Sequence, residues 1–391
     1  MTAAGATTTR RVAIGACLLG ALAALQPAAA AQPAAGLTAA PEIARAYDAI
    51  FDARFDDVPA LLRQTCPPAA PEVCLLLDAV ARWWRIQLDA DSTAWDDAFV
   101  AGIDTAVASI ESWTGRAPAE AEAWFYLGGA YGARAQWRAL RGDRLAAARD
   151  GKRIKDSLER ALDLDGTLQD AYFGIGLYHY YADVAPAGLR MLRWLLLLPG
   201  GDKAEGLREM MRARDSGQLL RSEADYQLHL LDLWYERQPL RALDLLRDLQ
   251  VRHSSNPHFL QRIAEVHDVY LSDAPASLRA WEELLAAARA RRVRLPEMAE
   301  AAARLGIATQ LDRLNQTAAA LPHLRAVIAA APAAPYGAVA RAHLQLGEAL
   351  DRLGARADAV IAYRAALAAL PEDDRQDVGD RARQGIRTPR R

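Results

Sequence analysis

The sequence predicts an all-α protein, a solenoid of antiparallel helix pairs. Three observations carry that prediction. Past residue 31 there is no β-rich segment and no hairpin signal. Apolar residues recur at helical spacing between short turns. Near the end, His343, Leu346, Gly347, Leu350, Ala359, Tyr363, Ala366 and Pro371 make a two-part unit. Small residues at Gly347 and Ala359 let two antiparallel helices approach. Leu346, Leu350 and Tyr363 fill the seam, and Pro371 ends the second helix.

Taken in order, the chain opens with Arg10 and Arg11 before an apolar run, Val12 to Leu25, too short to span a bilayer. Small residues follow, with an A-x-A-like site at Ala28 to Ala31. Residues 1–31 are expected to be a cleaved signal peptide. The mature chain is then periplasmic or secreted, with no transmembrane helix after cleavage. Thr9-Arg10-Arg11 is shared with twin-arginine signals, while Ala13, Ile14 and Gly15 fit the rest of that motif poorly. Sec and twin-arginine export therefore both stay open.

Residues 32–118 read as N-terminal helical pairs packing on the solenoid. Cys66 and Cys74 flank a proline-rich turn, and in an oxidising compartment two cysteines this close can pair. Two buried thiols on neighbouring helix ends is the alternative. Trp83, Trp84 and Ile86 belong to one helix of a longer pair, Phe99, Ile103, Ala106, Ile110 and Trp113 to the other.

Residues 119–371 form the repeating part. Trp124, Leu127, Gly128 and Tyr131 make a first half, completed by Ile154, Leu158 and Ala161. The gap between the halves is long enough to add about two turns to each helix, and Gly142 falls where that hairpin would reverse. Tyr172, Ile175 and Gly176 pair with Gly206, Met210 and Ala213. Pro186, the run Leu195 to Leu198 and Pro199-Gly200-Gly201-Asp202 lie between them. Asp202 and Glu205 fit a capping box. Looser units follow through Tyr226, Ile263 and Leu305. Residues 372–391 read as a polar capping segment and tail.

The unit from His343 to Pro371 fills nearly every slot of the tetratricopeptide pattern W-x₂-L-G-x₂-Y…A-x₃-F…P. The chain therefore resembles a tetratricopeptide repeat (TPR) protein. The stretch from Trp124 to Tyr235 is similar to exported bacterial TPR proteins of uncharacterised activity. That similarity rests on Tyr126-Leu127-Gly128-Gly129-Ala130-Tyr131-Gly132, Gly176-x-Tyr178-x-Tyr180-Tyr181-Ala182-Asp183 and Pro199-Gly200-Gly201-Asp202. It implies a right-handed TPR superhelix and export, and brings no activity with it.

Chemistry is sparse. No HExxH, paired CxxC, GxSxG or P-loop is present, and the histidines are scattered, so no cofactor or metal is expected. The formal charge of −2 gives no footing for nucleic acid. In TPR geometry Trp124, Tyr131 and Tyr172 take core slots. Phe125, Phe173, Tyr180, Tyr181, Trp234 and Tyr235, one step round the inner helices, are expected to line a concave binding groove. The expected function is a non-catalytic protein–protein interaction scaffold of the bacterial cell envelope, holding a protein or peptide partner in that groove. A periplasmic protein binding a small ligand, peptide or glycan is the alternative. Burial of the same aromatics under an overlying N-terminal helix or the extended hairpin would defeat both.

Overall fold

The computed structural model describes residues 36–184 and 200–390. The expected leader, Pro186, Leu195 to Leu198 and Pro199 lie outside the described residues. Among the described residues there are 17 helices and no strand. Two short helices, α1 (Ala40–Phe51) and α2 (Val58–Thr65), come first. Sequential antiparallel pairs follow: α3 (Pro71–Leu88) with α4 (Asp96–Arg116), α5 (Ala121–Leu140) with α6 (Arg144–Leu164), and α7 (Ala171–Val184) with α8 (Lys203–Ser216). Next are α9 (Arg221–Trp234) with α10 (Pro239–Arg252), and α11 (Pro257–Val269) with α12 (Ala274–Arg289). The last pairs are α13 (Pro296–Arg313) with α14 (Thr317–Ala330), and α15 (Ala338–Arg352) with α16 (Arg356–Ala368). A final helix, α17 (Val378–Arg387), packs on α15 and α16.

Local sequence sets the helix ends. Proline sits in the first turn of α3, α10, α11, α12 and α13, where its missing N–H has no intrahelical partner to lose. Side chains of Asp143, Asp202, Asn256 and Asp273 accept N–H groups at the starts of α6, α8, α11 and α12. Turns within five of the pairs pass through one left-handed residue: Gly142, Arg237, Ser272, Asn315 or Gly354. Successive turns are tied by ion pairs. Asp268 meets Arg313, and Asp312 meets Arg352 at 2.5 Å. The sequence carries this ladder as a repeated Leu-Asp-Arg-Leu, at Leu311 to Leu314 and Leu350 to Leu353.

Small residues set the closest approaches. A Cβ at Gly176 would lie 2.5 Å from the carbonyl oxygen of Gly206, so the α7 and α8 backbones touch. At Gly347 a Cβ would lie 2.6 Å from the ring of Tyr363, and Gly385 of α17 lies against the same ring. Thus Gly347 makes room for Tyr363 as well as for the helix bearing Ala359. The Tyr363 hydroxyl donates to Asp351 at 2.9 Å, and Arg356 donates to the Gly385 carbonyl at 2.8 Å, which clamps the cap. The long α5–α6 hairpin is held by buried Asp150, which accepts from Arg134 at 3.0 Å and from Arg138 at 2.6 Å.

The inner face is filled by the chain's own N-terminal helices. Trp84 of α3 lies 4.3 Å from Phe51 of α1 and 5.0 Å from Tyr226 of α9, centroid to centroid. Polar ties fix the same segment. The Thr38 hydroxyl donates to Glu122 at 2.8 Å, and the Tyr47 hydroxyl to Glu223 at 3.3 Å. Asn256 donates to the Phe51 carbonyl, and Ser255 to the Asp52 carbonyl, both at 2.7 Å. Beyond α3, Asp89 accepts the Tyr336 N–H at 2.9 Å, and Asp91 accepts from Gln376. Residues 36–91 therefore touch inner helices and loops from α5 to the segment after α16.

Gly347→Leu should destabilise the C-terminal end by roughly 1–3 kcal/mol or more, because the added side chain must displace Tyr363 from between Gly347 and Gly385. Urea denaturation followed by circular dichroism measures this, and an unchanged midpoint would contradict the packing.

Candidate interaction surface

Of the six aromatics expected on one groove, three are buried, Tyr181 is half-buried, and Trp234 and Tyr235 are exposed. Phe125 is 6% exposed and belongs to the main core together with α1 and α3. Phe173 at 8% and Tyr180 at 0% pack with Met210, Ala213, Ala224, Leu228 and Leu231, between α7, α8 and α9. These three are core, which corrects the expectation that they face an open groove. The cause differs between them. Phe125 is taken up in the main core beside Tyr126, whereas Phe173 and Tyr180 are taken up in packing between neighbouring pairs.

Tyr181, Trp234 and Tyr235 remain. Trp234, the last residue of α9, is 58% exposed, and Tyr235 in the following turn is 42% exposed. Tyr180, Tyr181 and Tyr235 form a three-ring cluster with edge-on contacts of 5.8 to 5.9 Å between centroids. The Tyr180 hydroxyl donates to Glu236, which also pairs with Lys203 at 3.0 Å. Burial raises the Glu236 carboxyl, but Tyr180 and Lys203 outweigh it and hold the group below its ordinary value. The cluster thus pins Tyr235 and leaves Trp234 projecting from the rim.

Deeper in, α9 and α11 carry a polar layer. Gln227 donates to Gln136 at 2.9 Å and to Glu223 at 3.3 Å. Desolvation raises the Glu223 carboxyl despite the hydrogen bonds from Gln227 and Tyr47. Tyr226 and His258 share a 3.0 Å hydrogen bond, and Arg262 pairs with Glu265 at 2.6 Å. Burial and the nearby Arg262 charge hold His229 down to about 3 and push His258 well below its ordinary value.

One arrangement has the distances of a nucleophile, base and orienter. Ser222 Oγ lies 2.8 Å from His253 Nε2, and His253 Nδ1 lies 3.0 Å from Asp52 Oδ1. Ser222 and His253 are both buried, and Arg252 donates to the same Oγ at 2.7 Å. A nucleophile must present its oxygen to a substrate, and this one is enclosed. The chain of bonds ties the turn after α1 to α9 and α10. Cys66 and Cys74 are joined by a disulfide that closes the turn between α2 and α3. Among the described residues no group of His, Cys, Asp or Glu could hold a metal ion. Nor is any described helix long and apolar enough to cross a membrane.

No family model matches the sequence, and no curated protein does. Among solved structures the chain is similar to one in the crystal structure of the APC/C hetero-tetramer Cut9–Hcn1. There the TM-score is 0.45 at 12% identity, over 86% of this chain and 53% of that one. It is also similar to yeast Tom70, with a TM-score of 0.39 at 12% identity, over 79% of this chain and 63% of that one. The chain thus spans little more than half the length of the first and under two thirds of the second.

The buried histidines make stability depend on pH. An unfolded histidine titrates near 6.5, so below that the unfolded chain binds more protons and stability falls. With His229 held down to about 3, its share of the loss between pH 7 and pH 5 is about 2 kcal/mol. Glu223 acts in the opposite sense, its contribution being present at low pH and lost as pH rises through its raised folded value. A comparison with the His229→Gln variant isolates the histidine. The change in unfolding free energy between the two pH values should shift by about 2 kcal/mol toward greater acid tolerance. An identical pH response in variant and wild type would contradict the burial of His229.

The described helices thus follow one another as antiparallel pairs with small residues at the closest approaches, a TPR-like all-α helical-repeat fold.

Proposed function

We propose that this protein is a non-catalytic interaction scaffold of the bacterial cell envelope, and that its protein or peptide partner docks on the rim at Trp234 and Tyr235. The exposure of Trp234 beside the pinned Tyr235 carries the reading. Folding a helix pair does not call for a large aromatic standing in solvent at a helix end. Buried in an interface, tryptophan and tyrosine are among the strongest contributors to binding. Envelope placement is supported by the leader-like residues from Arg10 to Ala31 and by the Cys66–Cys74 bridge, which suits an oxidising compartment.

The inner groove is the less favoured place. Phe51, Trp84 and Tyr226 fill it, and a partner entering there would have to displace α1. The small-ligand or glycan alternative needs a concave pocket at the predicted aromatics, and Phe125, Phe173 and Tyr180 offer none.

A photocrosslinking residue in place of Trp234 tests the proposal in cells that make the protein. It should give an adduct of defined mass, absent when the same group replaces Val251 on α10. Trp234→Ala with Tyr235→Ala should weaken binding of the captured partner by about a hundredfold while leaving helicity intact. Equal adducts at both positions, or unchanged affinity, would place the functional surface elsewhere.

A further inference from the structure

We propose that a second surface, the cleft where the α1–α2 turn meets the α10–α11 and α12–α13 loops, binds an acidic peptide segment through Arg292 and Arg294. The cleft is lined by Arg54, Arg85, Arg291, Arg292 and Arg294 together with Asp56 and Asp57, and Asp52 and Glu297 pair with two of these arginines from just outside it, so five guanidinium groups face four carboxylates. This is a local excess of positive charge in a chain whose net formal charge is −2.

The loop that carries the arginines is fixed. The N–H of Arg292 donates to the Ala287 carbonyl at 2.9 Å, and that of Arg294 to the Ser255 carbonyl at 2.7 Å. Val293 between them is buried, so its neighbours on both sides are turned out to solvent. The other three arginines already have carboxylates. Arg54 pairs with Asp52 and Asp57, Arg85 with Asp56, and Arg291 with Glu297. Among the described residues no carboxylate pairs with Arg292 or Arg294. Two anchored, exposed guanidinium groups are therefore left uncompensated. A carboxylate can accept both N–H bonds of a guanidinium fork, and arrival of negative charge relieves the repulsion among the arginines.

The surroundings favour a short acidic segment over an extended polyanion. Asp52, Asp56, Asp57 and Glu297 stand around the arginines and would repel a continuous phosphate surface. Leu295, exposed at the mouth, gives an apolar side chain between two acidic residues a place to rest. This surface is distinct from the Trp234 rim, and it stands or falls independently of the scaffold proposal.

Fluorescence anisotropy of the full chain with a labelled Glu-rich peptide tests it, the Gln-for-Glu peptide serving as control. The Glu peptide should bind, more weakly as salt is raised, and the Gln peptide should not. Arg292→Glu with Arg294→Glu should weaken binding at least about tenfold, and the milder Arg292→Gln with Arg294→Gln by less. Arg247→Glu and Arg383→Glu, on other faces, should leave it unchanged. Because residues 292 and 294 are exposed, all variants should melt as the wild type does. Equal binding of both peptides would overturn the proposal. So would undiminished binding by the cleft variants, or displacement of the peptide by phosphatidylglycerol vesicles or duplex DNA at lower concentration.

Discussion

The contact of Trp84 with Phe51 on one side and Tyr226 on the other is the constraint on which the rest of the structure depends. Helix pairs in a solenoid pack only on their neighbours, so nothing in the repeat itself closes the inner face. Here the chain's first helices close it. Phe51 and Trp84 are fully buried, and truncating either aromatic in such a core typically costs about 3–5 kcal/mol. Hydrogen bonds from Asn256 and Ser255 to the carbonyls of Phe51 and Asp52 hold the end of α1 in a single position. The N-terminal segment therefore acts as the occupant of its own groove.

That filling explains the chemistry of the interior. Inner helices of a solenoid with an open groove can carry polar side chains toward water. In this chain Glu223, Gln227, His229 and His258 keep their polar character but are enclosed. The cost is met partly by mutual hydrogen bonds and partly by protonation states displaced from their ordinary range, Glu223 upward and the two histidines downward. The Ser222–His253–Asp52 chain belongs to this interior. It has the distances of catalytic machinery and serves as a tie between α1, α9 and α10. With the inner face enclosed, Trp234 and the Arg292–Arg294 loop are among the side chains left exposed.

Much of the architecture could be read from local sequence. The all-α class followed from periodicity. The close contact of Gly176 with Gly206, the turn at Gly142 and the cap at Asp202 each followed from one residue's conformational or hydrogen-bonding habit. The inner face could not be read in the same way. Tyr47 meets Glu223, and Trp84 meets Tyr226, across more than a hundred residues of chain, and no local pattern encodes such a meeting. Helix α9 is buried almost all round, from Ser222 through His229 and again from Leu231 to Leu233, so it has no polar face to mark an inside. Assigning inner-facing slots one step round each helix therefore failed for Phe173 and Tyr180 and left Trp234 and Tyr235 exposed. Two signals were present and unread. Polar residues cluster at Glu223, Asp225, Gln227 and His229 within an otherwise core-like helix. The repeated Leu-Asp-Arg-Leu announced the ion-pair ladder between turns.

Hydrogen exchange of the α1 amides, Ala40 to Phe51, tests the account most directly. If α1 fills the groove, its central amides should exchange only with opening of the inner core, as slowly as those of α9 and α11. Exchange of α1 orders of magnitude faster than α9, with α9 still protected, would show that the segment lies on the surface and that the groove is open.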